Sequence, residues 1–543
     1  MKQLVLAAAA ALAVSTVGCG DRTPVPIRPK NYVDESVTEF RAVATLGVTG
    51  HPATVGVWVR EGEGKLRHPG GFVVRSIDQT SPFAGGLAVG DVIHRVGERD
   101  VPNVADPTLG LVELVEEAAA VGPVELGVLR RGRPTSTSAA LTLGSLDDGL
   151  PGMTTRQSAM ADRGLDALAR MQGADGAFET AEDDPGARLL VASIAGLAFL
   201  SSGADLDDGA RAMNVRLCVE AVKRELSAAT AAKQVVPLAF ATTFLAELVG
   251  GAGSMELMSD AASAFGPLVA AQSEDGGFPM VDAAESVGYS DTTFATQWAM
   301  LALGAAERAG MSAQGDAVER ACASLKAHMN DGQVTFVTSD GFDRRVESGR
   351  AAGAATALRA LNCQPTDPFF MRLVAYHRPL ETDVVDAPRG RLFHLLSAAL
   401  LARQGGPGSW RSFHHAHKHR FVTWQRADGA FDPPRSRSPY AIEAAADGDA
   451  LATAILSLIL RLPAEETPLL LAKAEHPMQP RRDGDGKVVE SSGPAAGPKP
   501  PPGGKVMQFN SLEEAREFLE SMGVDPDKLE GNVQLGGKKK KDG

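Results

Sequence analysis

Two kinds of helix alternate along the middle of this chain. One kind is amphipathic: Leu165, Leu168 and Met171 recur at helical spacing among Asp166, Arg170 and Gln172, which marks a helix with one wet face. The other kind is Ala-rich and apolar nearly all round, and a helix with no polar face has to be buried. The polar-faced helices are predicted near 157–172, 208–227, 257–272, 316–329, 367–377 and 411–425. The apolar helices are predicted near 187–201, 237–249, 291–309, 350–361, 391–403 and 447–460. Six outer and six inner helices in alternation predict an (α/α)6 toroid over 158–462.

A short motif punctuates this alternation. Gln172-Gly173-Ala174-Asp175-Gly176-Ala177-Phe178 returns as Gln272-Ser273-Glu274-Asp275-Gly276-Gly277-Phe278 and as Gln425-Arg426-Ala427-Asp428-Gly429-Ala430-Phe431. A weaker copy is Asn330-Asp331-Gly332-Gln333. Each strong copy sits where an outer helix ends and the chain turns inward. A short carboxylate there accepts hydrogen bonds from turn amides, and the following Gly takes the positive φ that the turn needs. The Gln is expected to bond backbone across the turn and the Phe to fill the space between neighbouring hairpins, so Asp175, Asp275 and Asp428 are read as structural.

These residues resemble the repeat of the squalene cyclase and protein prenyltransferase β-subunit superfamily, over about 158–462. The resemblance implies the toroid; it says less about chemistry, since one fold hosts many functions. The cyclase acid Asp-x-Asp-Asp has its nearest match in Asp447-Gly448-Asp449-Ala450, which lacks the last Asp, and Tyr289-Ser290-Asp291-Thr292-Thr293 carries one carboxylate. The Asp-x-Cys zinc pair of the prenyltransferases is missing from the inner helices, and no Gly-Cys-Gly-Glu-Gln thioester occurs. Aromatics are 5% of the chain, with four Trp and four Tyr, few for a cavity that steadies carbocations by cation–π contact. No catalytic residue and no cofactor is therefore assigned.

Ahead of the toroid, residues 40–145 change to a strand-and-turn pattern. Gly71-Phe72-Val73-Val74-Arg75-Ser76-Ile77 reads as a strand, Glu125 to Gly132 as a last strand, and Leu109 to Ala119 as a helix. Between them come Ser81-Pro82, Gly86-Leu87 and Gly90-Asp91-Val92-Ile93. This small β-rich domain resembles a PDZ domain of the bacterial protease-associated type. The resemblance implies a groove for a peptide or protein terminus, with Leu46, Gly47 and Val48 as the carboxylate loop and Val73 and Val74 on the neighbouring strand. Such a groove works by adding an extended chain to an open strand edge. The stretch from Gly50 to Gly70 is read as an insertion that separates the loop from that strand.

Residues 1–18 read as a signal peptide, with Lys2 followed by an apolar run too short to span a membrane. Thr16-Val17-Gly18-Cys19 resembles a lipobox, which implies lipidation at Cys19 and an exported protein tethered to the cell envelope. Residues 19–39 read as a Pro-rich linker, 463–505 as a disordered linker, 506–535 as a short helical segment and 536–543 as a basic tail with Lys538 to Lys541. The net charge of −13 argues against nucleic acid as a partner. Cys218, Cys322 and Cys363 lie in or beside apolar helical stretches and are read as inert thiols.

Two polar constellations remain. Asp291, Thr292, Thr293, Asp447 and Asp449 fall at inner-helix starts and form a candidate ligand rim, with helix capping as the plainer explanation. In His414-His415-Ala416-His417-Lys418-His419, His415 and His419 share a helix face and are weak metal candidates; a solvated outer face is the plainer reading. The function this supports is a binding scaffold: a peptide-binding module joined to a toroid that holds a ligand or partner. The alternative is an enzyme using the toroid bowl on an isoprenoid, glycan or peptide.

Overall fold

The structure is a computed structural model describing residues 41–463 apart from short internal segments, the longest being 280–291, 335–343 and 434–440. The leader, the N-terminal linker and everything beyond 463 lie outside the described residues. The described part is mainly helical with one small antiparallel sheet.

The sheet comes first in the chain. Its strands are β1 (Arg41–Val43), β2 (Val48–Thr54), β5 (Gly70–Ile77), β6 (Val92–Val96), β8 (Val124–Arg130) and β9 (Arg133–Ala139), lying side by side in that order, with β7 (Arg99–Asp100) paired to β6. All pairings are antiparallel. The sequence stopped one strand short: β9 follows the strand read as the last. The stretch from Gly50 to Gly70 is not a simple insertion. Its two ends belong to a β2–β5 hairpin, in which Thr54 pairs with Gly70, and between them is a ribbon of β3 (Val59–Arg60) and β4 (Leu66–Arg67). Helix α1 (Pro107–Val121) packs on the sheet. The Gly-Asp turn is held from within. Asp91 is buried, and Arg130 grips it with two hydrogen bonds of 2.9 and 2.7 Å, the pairing that a buried carboxylate requires.

The toroid follows as helix pairs. Outer helices are α2 (Thr155–Met171), α4 (Ala212–Ala231), α6 (Met258–Ala270), α8 (Ala317–Ala327), α10 (Pro368–His377) and α12 (Pro407–Trp424). Inner helices are α3 (Pro185–Leu200), α5 (Val235–Gly250), α7 (Thr292–Arg308), α9 (Arg344–Ala360), α11 (Arg391–Gln404) and α14 (Asp449–Arg461), the last preceded by a short α13 (Ala441–Ala446). Start signals are local: Asp184 caps α3, accepting from the Ala187 amide at 2.7 Å with Pro185 in the first turn, and Asp367 with Pro368 does the same for α10. In α5 every residue from Val235 to Val249 is buried, as the absence of a polar face requires.

The ring closes. Each inner helix touches the next, and α14 touches α3. Each outer helix packs on the inner helix before it, and α2, which has none before it, packs on α14. Polar bonds sew this seam: Gln157 donates to the Leu460 carbonyl at 2.8 Å, and Arg461 meets Asp162 at 2.5 Å.

The three Asp-Gly turns share one geometry. Asp175, Asp275 and Asp428 each accept the amide two residues on, at 3.0–3.1 Å. Gly176, Gly276 and Gly429 have φ of 81°, 86° and 91°. A Cβ on them would lie 2.0, 2.4 and 2.4 Å from the carbonyl oxygens of Leu217, Arg320 and Arg163 on the next outer helix. The Gln side chains reach that same neighbour: Gln272 donates to Ala317 and Gln425 to Met160, both at 2.8 Å. Phe178, Phe278 and Phe431 are buried. The weaker copy is different: its flanks pair as β10 (Met329–Asn330) and β11 (Gln333–Val334).

Candidate functional site

The strand edge expected to receive a peptide is already taken. β1 pairs with β2 through Arg41 with Gly50, Ala42 with Thr49 and Val43 with Val48, on the side of β2 away from β5. Helices α1 and α12 both pack against β1. The loop groups are also engaged: the Leu46 amide donates to Val43 at 2.9 Å, and the Leu46 carbonyl accepts from Ser81 at 2.5 Å. Leu46, Val48, Val73 and Val74 are all buried core residues; Gly47 lies outside the described residues. Peptide capture by strand addition needs an open edge, and in this structure β1 holds that edge of β2.

The rim candidates divide. Asp291 lies outside the described residues, and Thr292 opens α7. Asp447 and Asp449 line a cleft of about 630 Å³ together with Arg170, Glu179, Arg426 and Asp428. Neither is the side-chain cap expected: Gly448 occupies the N-cap of α14, without a side-chain cap bond. The Asp449 carboxylate instead pairs with Arg426, which also meets Asp428 at 2.5 Å. Arg170 donates to the Asp428 carbonyl at 2.5 Å. Burial pushes Asp428 up, but the Arg426 hydrogen bond, the Ala430 amide and the nearby guanidinium charges outweigh it and hold the carboxyl below its usual range. Burial lowers Arg426 less than its two carboxylates raise it. The cleft is therefore lined by ion-paired side chains at the closing seam.

A second constellation lies inside the inner ring, where the sequence had suggested only packing. Phe240 on α5 and Phe393 on α11 come from helices opposite each other in ring order, yet their ring centroids are 5.8 Å apart. Trp298 sits 4.8 Å from Phe240 and 5.9 Å from Phe393, and Phe294 packs edge-on against Phe393 and His394. Beside this aromatic layer are buried polar atoms without a protein partner: both amide atoms of Gln297, Nε1 of Trp298 and both ring nitrogens of His394. Each unmet buried group costs about 1–3 kcal/mol. Burial, with the charges of Arg350 and His377, lowers His394 to about 3, so its ring is neutral. The sequence carried a signal here: a Gln and a His inside helices read as wholly apolar.

The His tract faces inward more than expected. His414 and His417 are buried, with Nε2 atoms 2.6 Å from the Leu146 carbonyl and 3.1 Å from the Glu381 carbonyl. His415 stands 3.5 Å from Asp147, and burial lowers His419. The tract packs α12 against the linker to the sheet and the turn at 378–386, because α12 has neighbours on both sides. Among the described residues no group of three or more His, Cys, Asp or Glu side chains is arranged to hold a metal. The three cysteines are free; Cys218 is buried, while Cys322 and Cys363 are half-buried, with burial raising Cys322 to about 11. No helix among the described residues is long and apolar enough to cross a membrane.

No family model matches the chain, and no curated protein matches it. Among solved structures the chain is similar to a family 76 glycoside hydrolase from a bovine Bacteroides thetaiotaomicron strain. The two are 8% identical with a TM-score of 0.39, over 78% of this chain and 98% of the other.

Proposed function

We propose that the toroid is the working part of this protein and binds a polar ligand in the cleft at its closing seam. The observation that carries this is the cleft itself: about 630 Å³, within the range of ligand sites, with Arg426 holding Asp428 and Asp449 in place. Preset charged groups give orientation at little ordering cost. Native mass spectrometry of protein drawn from envelope extract tests the reading. The wild type should retain a ligand that Arg426→Ala and Asp449→Asn lose; equal retention by all three would overturn it.

A second reading, an enzyme acting in the same cleft on a glycan, isoprenoid or peptide, is favoured by the gathering of four carboxylates. Glycoside hydrolysis wants two carboxyls with separated pKa values, one of them a proton donor. Glu381, which burial raises to about 7, suits proton donation but does not line the cleft. Product formation from an oligosaccharide panel, lost in Asp449→Asn, would establish this reading.

The sheet domain then serves as a support clamped to the toroid. Arg156 at the start of α2 meets Glu116 of α1 at 2.5 Å, and both side chains are mostly buried. Its PDZ-like character and its peptide binding are kept as proposals that need β1 to leave. We also propose export and anchoring through Cys19; Cys19→Ser should move the protein from the membrane to the soluble fraction.

A further inference from the structure

We infer that α12 is an acid-operated latch: protonation of His414 releases the linker and the sheet domain from the toroid while the helix ring stays closed. Helix α12 (Pro407–Trp424) stands between the two parts. It packs on α1 and β1 on one side and on α11 and the turn at 378–386 on the other. It carries His414, His415, His417 and His419, and the linker and the ring receive different ones.

The linker rests on His414, His415 and Lys418. His414 is 2% exposed, and its Nε2 lies 2.6 Å from the carbonyl of Leu146, itself buried. A carbonyl only accepts, so Nε2 carries the proton and donates it, and Nδ1 is the bare nitrogen. Among the described residues Nδ1 has no partner, and it is buried. The next linker residue, Asp147, takes Lys418 at 2.6 Å and His415 at 3.5 Å. A proton added at His414 would sit on an atom that reaches neither water nor an acceptor, so the docked state disfavours the charged ring.

The surrounding charges do not reverse this. Burial lowers the pKa of His414 first; the Leu146 bond and the Asp147 carboxylate, 3.9 Å away, pull it up, and Lys418 and His415 push it down. The acids of α1 are spent elsewhere: Glu116 on Arg156, Glu117 on Arg99, and Glu113 near Arg420. In the turn, Arg378 adds positive charge, Glu381 bonds Ser412, Asp383 is engaged and Asp386 pairs with Arg420 at 3.3 Å. β1 carries only Arg41, and α11 only Arg391, His394 and Arg403, so neither brings a carboxylate. His415 works against release, since charging it strengthens its hold on Asp147, but an exposed pair is weak.

The ring side behaves differently. His417 is 0% exposed, with the Phe413 and Phe421 ring centroids 4.7 and 6.4 Å away. Burial, with the charge of Arg420, lowers it to about 3. It stays neutral at pH 5, and α12 keeps its place on the toroid when the linker lets go.

Thermolysin digestion of the full chain at pH 6.5 and 5 reads the release, because cleavage of a transiently opened segment tracks the population of the open form. Rates are divided by those for a synthetic peptide of residues 141–154 under the same conditions. Freed, His414 takes up a proton below about pH 6.5, so docking weakens by up to about tenfold per pH unit. The normalised rate of linker cleavage should therefore rise by up to about thirtyfold, and an intact toroid fragment should accumulate. His414→Gln keeps a donor for the Leu146 carbonyl and cannot titrate, so it should lose most of the rise. His417→Gln should keep it. A rate indifferent to pH, a full rise in His414→Gln, or its loss in His417→Gln would overturn the inference. So would destruction of the toroid as fast as the linker is cut, which would mean that the whole chain unfolds; the wild type alone decides that point.

Discussion

The sheet domain and the toroid answer differently to the same kind of reading. In the sheet domain, local signals located strands and the helix, but its expected function hung on one strand edge, and three residues of β1 occupy that edge. In the toroid, the same local test repeats from pair to pair, and the helix pairs close into a ring. Pairing in a sheet is decided by residues distant in sequence, and one added strand changes what an edge can do. A helix ring is decided many times over by the burial of each apolar helix, so an error in one unit does not change the architecture.

The contrast is broken most severely by truncation. Ending the chain before Pro407 removes α12 and α14, exposes the surfaces of α2 and α3 that pack on α14, and should yield an aggregating toroid. A soluble, cooperatively unfolding product would mean that the ring does not need closure.

Acid should act on the toroid next. Burial lowers His377 to about 4 and His394 and His417 to about 3. Unfolded, these groups take up protons below about 6.5, so the unfolded state binds more protons and stability falls as pH falls. Glu381, raised to about 7 by burial, works the other way: its contribution is lost as pH rises. Three groups against one leave a net loss on the order of 3 kcal/mol between pH 6.5 and 5. Urea unfolding at the two pH values measures this, and a flat profile would contradict the burial of the histidines.

Two glycines compare the domains directly. Gly429→Ala should cost about 2–4 kcal/mol, because the new Cβ meets the Arg163 carbonyl oxygen in addition to the positive φ. Gly97→Ala in the sheet domain, where φ is 57° and nothing lies near, should cost about 1 kcal/mol. Equal losses would show that the repeat turn is not pressed against its neighbour. An effect of similar size, about 1 kcal/mol for a lost turn bond, is expected from Asp428→Ala; thermal unfolding checks it.

Helix order, the alternation of inner and outer helices and the structural part played by Asp175, Asp275 and Asp428 were legible in the sequence, because periodicity and turn chemistry are local. Most helix ends came within a few residues. The early starts of α9, at Arg344, and of α12, where Gly406 and Pro407 open a helix, were missed. Of the candidate site, Asp447 and Asp449 were marked in the sequence by their place at an inner-helix start. Arg426, the partner of Asp449, was not, since it arrives from the preceding turn.

By itself, then, the sequence determined which segments must be helices or strands and which helices must be buried, since each segment carries its own hydrophobic period and breakers. Only the tertiary structure decided that β1 would sit on the edge of β2, that Arg426 would tie Asp428 to Asp449, and that Gln297 and His394 would meet across the glycines of α9. Those juxtapositions depend on distances between residues far apart in the chain. Such distances are set by how whole elements pack, and no local pattern records them.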